Sequence, residues 1–233
     1  VAPLKDGFMK HNVCLSIMLL VLFASAAQAF EPNFIDSTLK QPNFYTRPEG
    51  KHKTLGLNYF KPVILGVLYR GGSAGTRRAN DNDSGVLTRT QLMALCEAGF
   101  SKAVYAYGKS KYMIPQVSCV TREGKQNTLS YEGVSYNDKN RFVEIIDDVI
   151  RYNKGPVYDH CWNGWHASGE LAAVALKQFC DFSDSESQRY WQRNRYDKVA
   201  VPSLLKRIAN FKPHSNIPAL NSATQAELCP SKP

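Results

Sequence analysis

The order of hydrophobic segments predicts an α/β domain with a central, mostly parallel sheet flanked by helices. Two observations carry this. Short apolar runs of strand length alternate with helix-period segments between Pro62 and Phe211. The last of these strands runs through a small, Gly-containing turn into a helix that is apolar on nearly every side, which belongs at the centre of a fold.

Residues 30–60 hold Pro32, Pro42, Pro48 and Gly50 and read as an irregular N-terminal arm. Pro62–Tyr69 is a continuous apolar run and reads as one strand. Arg70 to Ser84, with its glycines and an Asn-Asp-Asn-Asp tract, reads as a loop. Thr88 with Gln91 forms a capping box that opens a helix to about Ala98, and Gly99 stops it. Lys102–Tyr107 is the next strand, and Val117–Tyr136 suits a hairpin turning at Glu123-Gly124-Lys125. Phe142, Ile145, Ile146, Val149 and Ile150 fall at i, i+3, i+4, i+7 and i+8, the stripe of an amphipathic helix. Gly155-Pro156 ends it, Val157–His160 is a short strand, and the apolar helix runs from Ser168 to about Cys180. Ser183 and Glu186 form a second capping box for a polar helix to about Tyr196. Pro202 suits the first turn of a last helix through Phe211, and the tail from Lys212 reads as extended.

The chain of 233 residues is 43% hydrophobic, enough for a sizeable core and too apolar for a disordered chain. Its net charge of +9 favours anionic partners without choosing among them. No nucleic-acid module is recognisable. Met9-Lys10-His11-Asn12, the apolar run Val13–Phe23 and Ala27-Gln28-Ala29 have the form of a secretory signal peptide cut after Ala29. That run is shorter than the ~20 residues a membrane span needs, and no later segment is long and apolar enough. The expected organisation is therefore an extension and signal over 1–29, the arm over 30–60, a domain over 61–212 and a tail over 213–233, in a periplasmic or secreted protein. Once Cys14 leaves with the signal, Cys96, Cys119, Cys161, Cys180 and Cys229 remain. An odd number in an oxidising compartment leaves at least one thiol unpaired. If that one is Cys161, the other four form up to two disulfides with three possible connectivities.

The chemistry is concentrated in His160-Cys161-Trp162-Asn163-Gly164-Trp165-His166-Ala167-Ser168-Gly169. A thiol at the end of a strand opens a tight loop that feeds the N-terminus of a buried helix. Successive loop amides can form an anion nest, and the helix end adds about half a positive charge. Both favour the thiolate. The product is an anion-binding cup with a nucleophile at its floor, and Ser168 is placed to donate to the thiolate or to a leaving group. No Cys-x-x-Cys occurs, and the residues imply neither a metal nor a cofactor.

This segment resembles the signature of the cysteine-dependent tyrosine and dual-specificity phosphatases: His-Cys, five residues, Arg, then Ser or Thr. His160, Cys161, Gly164, Ser168 and Gly169 match it. Leu68-Tyr69-Arg70-Gly71-Gly72, Leu92–Tyr107 and Phe142–Cys180 look like successive parts of the same fold, so the resemblance covers about residues 62–180, with Arg189–Phe211 suiting its closing helices. It implies a phosphatase-like sheet, a phosphate loop between strand and central helix, Cys161 as nucleophile and the remaining loop residues as substrate contacts. It also implies a general acid upstream of the cysteine. Asp138 lies 23 residues before Cys161, ahead of the amphipathic helix, and Glu132 lies 29 before it; Asp138 is preferred, with helix capping as its alternative role.

One departure weighs against the match. Ala167 stands where the family has its arginine. That guanidinium grips two phosphoryl oxygens, and losing two charge-assisted bonds of roughly 1.5–3 kcal/mol each would slow turnover by roughly 10²–10⁴. His166 supplies at most one charge and no fork. Arg70, Arg77 and Arg78 in the loop after the first strand, and Arg189, Arg193 and Arg195 on a later helix, are the candidate substitutes. Trp162 and Trp165 either stack a planar substrate group or wall the cup, Asn163 is a polar contact or a turn former, and Asp159 either bonds an imidazole or faces solvent. Three readings fit: a phosphatase-like hydrolase of phosphorylated or otherwise anionic small molecules or proteins, a pseudophosphatase that binds such ligands, and altered thiol chemistry.

Overall fold

The computed structural model describes residues 55–73, 85–195 and 201–233. The signal segment, most of the arm, Arg77 and Arg78 lie outside these residues. A six-stranded sheet has the order β1-β2-β6-β3-β5-β4. The strands are β1 (Asn58–Ile64), β2 (Leu68–Gly72), β3 (Lys102–Tyr105), β4 (Gln116–Val120), β5 (Gln126–Gly133) and β6 (Val157–Cys161). The four central strands β2, β6, β3 and β5 run parallel, and the edges β1 and β4 pair antiparallel. The helices are α1 (Arg89–Glu97), α2 (Lys139–Arg151), α3 (Ala167–Phe179), α4 (Asp184–Arg193), α5 (Pro202–Asn210) and α6 (Ser222–Leu228).

The sheet separates two apolar layers. On one face α3 packs against β6 and β2 and is covered by α2, α4 and α5; on the other, α1 packs on β4 and β5. All thirteen residues of α3 are buried, as its apolar circumference requires. Besides Ser168, three of them are polar and are paired. The Lys177 amine reaches the carbonyls of Ile208, Ala209 and Phe211 at the C-terminal end of α5, and it pairs with Asp184 at 2.6 Å. Gln178 bonds His214 and Ile217 in the following segment. Glu170 belongs to the site described below. Thr88 with Gln91 and Ser183 with Glu186 form both bonds of their capping boxes.

Three expectations are corrected. The apolar run Pro62–Tyr69 is two strands, because the chain reverses at Leu65–Val67 through Gly66 at φ 72°. Both halves are buried, so no polar residue marks the break; Gly66 was the only local signal. Arg70 lies within β2 and not in the loop after it. The tail is not wholly extended: α6 forms between Pro218 and Pro230, capped by Asn221, whose side chain accepts from the Thr224 amide at 2.9 Å. Proline interrupts a helix only where it stands, and this stretch has none.

The cysteines pair as Cys96–Cys119 and Cys180–Cys229, and Cys161 is the free, buried thiol. Two disulfides suit an oxidising compartment such as the periplasm or the cell exterior. Among the described residues no helix is long and apolar enough to cross a membrane.

Candidate active site

The site lies at the C-terminal edge of the parallel strands, where open α/β sheets place their ligands. β6 is hydrogen-bonded between β2 and β3, so its last residues are fixed from both sides. Ser73 N donates to the Cys161 carbonyl at 3.1 Å, and Ala106 N donates to the His160 carbonyl at 2.9 Å. Side chains alternate across the strand. Asp159 and Cys161 face the α3 layer; Tyr158 and His160 face the α1 layer.

Cys161 therefore ends its strand beneath the first turn of α3, 2% exposed. Its Sγ is 3.3 Å from Ser168 Oγ, and Ser168 Oγ is 3.4 Å from the Gly71 carbonyl. The loop between them folds back on β2. Gly164 has φ 76°, and a Cβ there would collide with the backbone of Gly71 and Gly72. A Cβ on Gly72 would lie 2.6 Å from the Trp162 oxygen and the Asn163 carbonyl carbon, so the two backbones touch where only hydrogen fits. Gly169 is equally confined, by Trp191 and the Arg70 guanidinium.

The N-terminus of α3 carries no side-chain cap. α1, α2, α4 and α6 each have a side-chain cap, whereas His166 at the N-cap of α3 gives none, as Val201 gives none to α5. The first-turn amides of α3 have no intrahelical partner by geometry and are left to a ligand or solvent. Thiol, hydroxyl and uncapped amides thus converge on one small volume.

The other site candidates are dispersed around this centre. His160 is fully buried away from the thiol, among Tyr105, Tyr131 and Tyr158. Leu87 N donates to the Tyr131 hydroxyl oxygen at 3.1 Å, which leaves the phenol proton for His160 Nε2 at 2.8 Å. Burial lowers the imidazole to about 3, so it is neutral at physiological pH. Its place is that of a positioning residue for β6. Asp159 neither bonds an imidazole nor faces solvent, in contrast to both expectations. It is fully buried, its carboxyl oxygens have no hydrogen-bond partner among the described residues, and burial raises it well above the usual carboxylate range against the pull of Arg70.

Arg70 faces the same layer as Cys161, but its guanidinium is used on the loop: Nη2 donates to the Gly164 carbonyl at 2.6 Å, and lies 3.4 Å from the Asn194 carbonyl and 3.5 Å from that of Trp165. Arg189 donates to the Pro233 carbonyl, Arg195 stacks on Trp191, and Arg193 lines a separate cleft against the C-terminal segment. The tryptophans are walls: Trp162 donates from Nε1 to Tyr105 Oη at 2.8 Å and stands edge-on to Tyr107, and Trp165 stands edge-on to Tyr59. Asn163 is exposed at the loop tip.

Asp138 is exposed and caps α2, accepting from Arg141 N at 3.2 Å. Glu132 is a poor proton donor. Burial pushes it up, but its ion pairs with Lys102 at 2.6 Å and Arg141 at 3.3 Å outweigh this and hold it below the usual range.

Beside the loop lies a cavity of about 150 Å³ lined by Tyr107, Tyr136, His166, Ala167, Glu170 and Arg207. Glu170 is fully buried and takes Arg207 in a fork, with Nε to Oε1 at 3.0 Å and Nη2 to Oε2 at 2.7 Å; Lys139 Nζ reaches Oε1 at 2.9 Å. Sequence reasoning missed this group. Glu170, a carboxylate in a mostly apolar helix, was the available signal, since a buried carboxylate requires cations.

No protein-family model matches the sequence, and no curated protein does. Solved structures with similar coordinates include the core catalytic domain of the PP-IP phosphatase SIW14 from S. cerevisiae in complex with citrate, at 16% identity and TM-score 0.41 over 66% of this chain and 85% of that one. Tk-PTP in its active form aligns at 20% identity and TM-score 0.33 over 48% of this chain and 79% of its own. A glycine-to-alanine mutant form of Tk-PTP aligns at 17% and 0.38 over 63% and 91%.

Proposed function

We propose that this chain is a phosphatase-like hydrolase that cleaves phosphoesters through Cys161. The observation that carries the reading is the Cys161–Ser168 contact of 3.3 Å at the uncapped N-terminus of a buried helix. The resemblance of His160–Gly169 to the phosphate-loop signature supports it. The Cys161 thiolate attacks phosphorus; an S–P bond forms and the ester P–O bond breaks, with Asp138 giving the leaving oxygen its proton. Asp138, now a carboxylate, takes a proton from a water that attacks phosphorus; the S–P bond breaks, inorganic phosphate leaves, and the Cys161 thiolate and the Asp138 acid are restored. The Ser168 hydroxyl stabilises the departing thiolate. The loop amides from Trp162 to Gly169 hold the phosphoryl oxygens, and a neutral His160 positions the strand. Arg70 acts through the loop it braces. The substrate is a phosphorylated small molecule or protein, in a periplasmic or secreted setting with the signal over 1–29 removed.

Ala167 favours a second reading, a pseudophosphatase that retains the anion cup. Hydrolysis of an aryl phosphate across pH 4–8, beside Cys161→Ser and Ala167→Arg, separates the two. Turnover abolished in Cys161→Ser supports the hydrolase. An inert parent with activity gained in Ala167→Arg supports the binding protein.

A further inference from the structure

The cavity beside Ala167 is also lined by an arginine, Arg207. Ala167 and Glu170 are one turn apart on α3 and so share a face. The shortened side chain at 167 opens this face, and α5 brings Arg207 onto it. Two cations on one carboxylate leave one positive charge in excess. Glu170 is 0% exposed and Arg207 36%, so the excess charge faces the cavity through Arg207 and not through its buried partner. Arg207 is also held from its flank, its guanidinium carbon 5.2 Å from the centroid of the Tyr136 ring. A forked ion pair and a stacked ring together hold a long side chain in one pose, which lowers the ordering cost of binding.

The cavity adjoins the thiol. His166 and Ala167 on its wall are residues of the loop itself. Tyr107, also on the wall, stands 5.8 Å edge-on from Trp162, the residue after Cys161. Tyr136 belongs to the segment that enters α2 through Asp138, so the cavity lies between the proposed acid's segment and the loop.

We propose that Arg207, clamped by Glu170, supplies from α5 the cation that position 167 lacks, and binds an oxygen of a phosphoryl or similar tetrahedral oxyanion held over the Cys161 loop. This rests on the phosphatase-like reading and names the residue that would complete its anion site. It gives a role to the buried carboxylate of Glu170, which the Cys161 loop does not otherwise use. Lys139 shares the carboxylate, and Arg207 Nη1, which takes no part in the fork, is the donor left for a ligand.

Tungstate, a tetrahedral oxyanion, is the probe. Its affinity is measured by calorimetry for the parent, Arg207→Gln, Arg207→Lys and the double variant Glu170→Gln/Arg207→Gln, each with a thermal unfolding curve. Loss of one charge-assisted contact is expected to weaken tungstate roughly tenfold or more in both glutamine variants, with Arg207→Lys between them and the parent. The double variant removes the buried carboxylate together with its partner, so it tests binding where the single variant fails to fold. Ala167→Arg in the Arg207→Gln background is expected to restore affinity. In crystals of the parent, tungstate is expected in contact with Arg207. Tungstate bound as tightly by folded Arg207 variants, or held in the crystal by loop amides alone, overturns the assignment and leaves the phosphatase-like reading standing. A parent that neither binds tungstate nor hydrolyses aryl phosphate overturns both.

Discussion

Arg70 and Asp159 are register partners in adjacent parallel strands, both fully buried, and the arginine donates to the Gly164 carbonyl while the carboxyl group has no hydrogen bond among the described residues. The pair joins the sheet to the loop, and its charge supports the loop's shape more than it neutralises the acid.

Arg70→Met should therefore be severe. It removes the guanidinium that faces the buried Asp159 and leaves the Gly164 carbonyl without its donor, and stranding a buried acceptor costs roughly 1–3 kcal/mol. Asp159→Asn in the same background should recover about 1–3 kcal/mol, the coupling expected of residues in contact. Urea unfolding of the four-member cycle measures it, and additive losses would show that the two side chains do not communicate.

Gly164→Ala should disable the loop while leaving the helices intact. A left-handed φ costs an ordinary residue about 1–2 kcal/mol, and here the added methyl also meets the backbone of Gly71 and Gly72. Loss of aryl phosphate turnover with unchanged far-ultraviolet dichroism is the expected result. Normal turnover would mean that the close approach of β2 to the loop is not needed.

Much of this was legible beforehand. Period and capping chemistry located α1, α2 and α4, and the hairpin between β4 and β5, because each is specified by residues next to one another in the chain. The strand–loop–helix at Cys161 was equally local. What sequence could not supply were the long-range pairings. Nothing near Arg207 marks it as the partner of Glu170, 37 residues away. Asp159 looked ambiguous because Arg70 is brought beside it only when β2 and β6 align. The turn at Gly66 was hidden for a related reason: a strand buried on both faces shows no alternation, so two such strands in sequence look like one.

The Cys180–Cys229 bond should hold α6 to the core. It ties the end of α3 to the residue after α6, and Leu65 N donates to the Leu228 carbonyl at 2.9 Å from the β1–β2 turn. Replacing both cysteines by serine should cost roughly 2–4 kcal/mol. Hydrogen exchange should locate the loss in α6 and in the turn around Leu65, with β6 and the loop still protected. Loss of protection across the whole sheet would instead make this bond part of the global fold.

His160 and Asp159, neighbours on opposite faces of β6, should give stability opposite dependences on pH. Burial holds His160 at about 3 when folded, against about 6.5 when unfolded, so between these values the unfolded chain binds the extra proton and stability rises with pH. Burial holds the Asp159 proton in the folded chain above the unfolded value of about 3.8, so stability from this group falls as pH rises past that point. Above about pH 4 the two slopes therefore oppose one another. His160→Gln should remove the rising part and Asp159→Asn the falling part. As pH rises from about 4 the stabilities of the two variants should diverge, the aspartate variant gaining relative to the histidine variant. Urea midpoints at pH 4.5, 5.5 and 6.5 measure this, and parallel slopes in the two variants would show that neither group is held in the buried, neutral form.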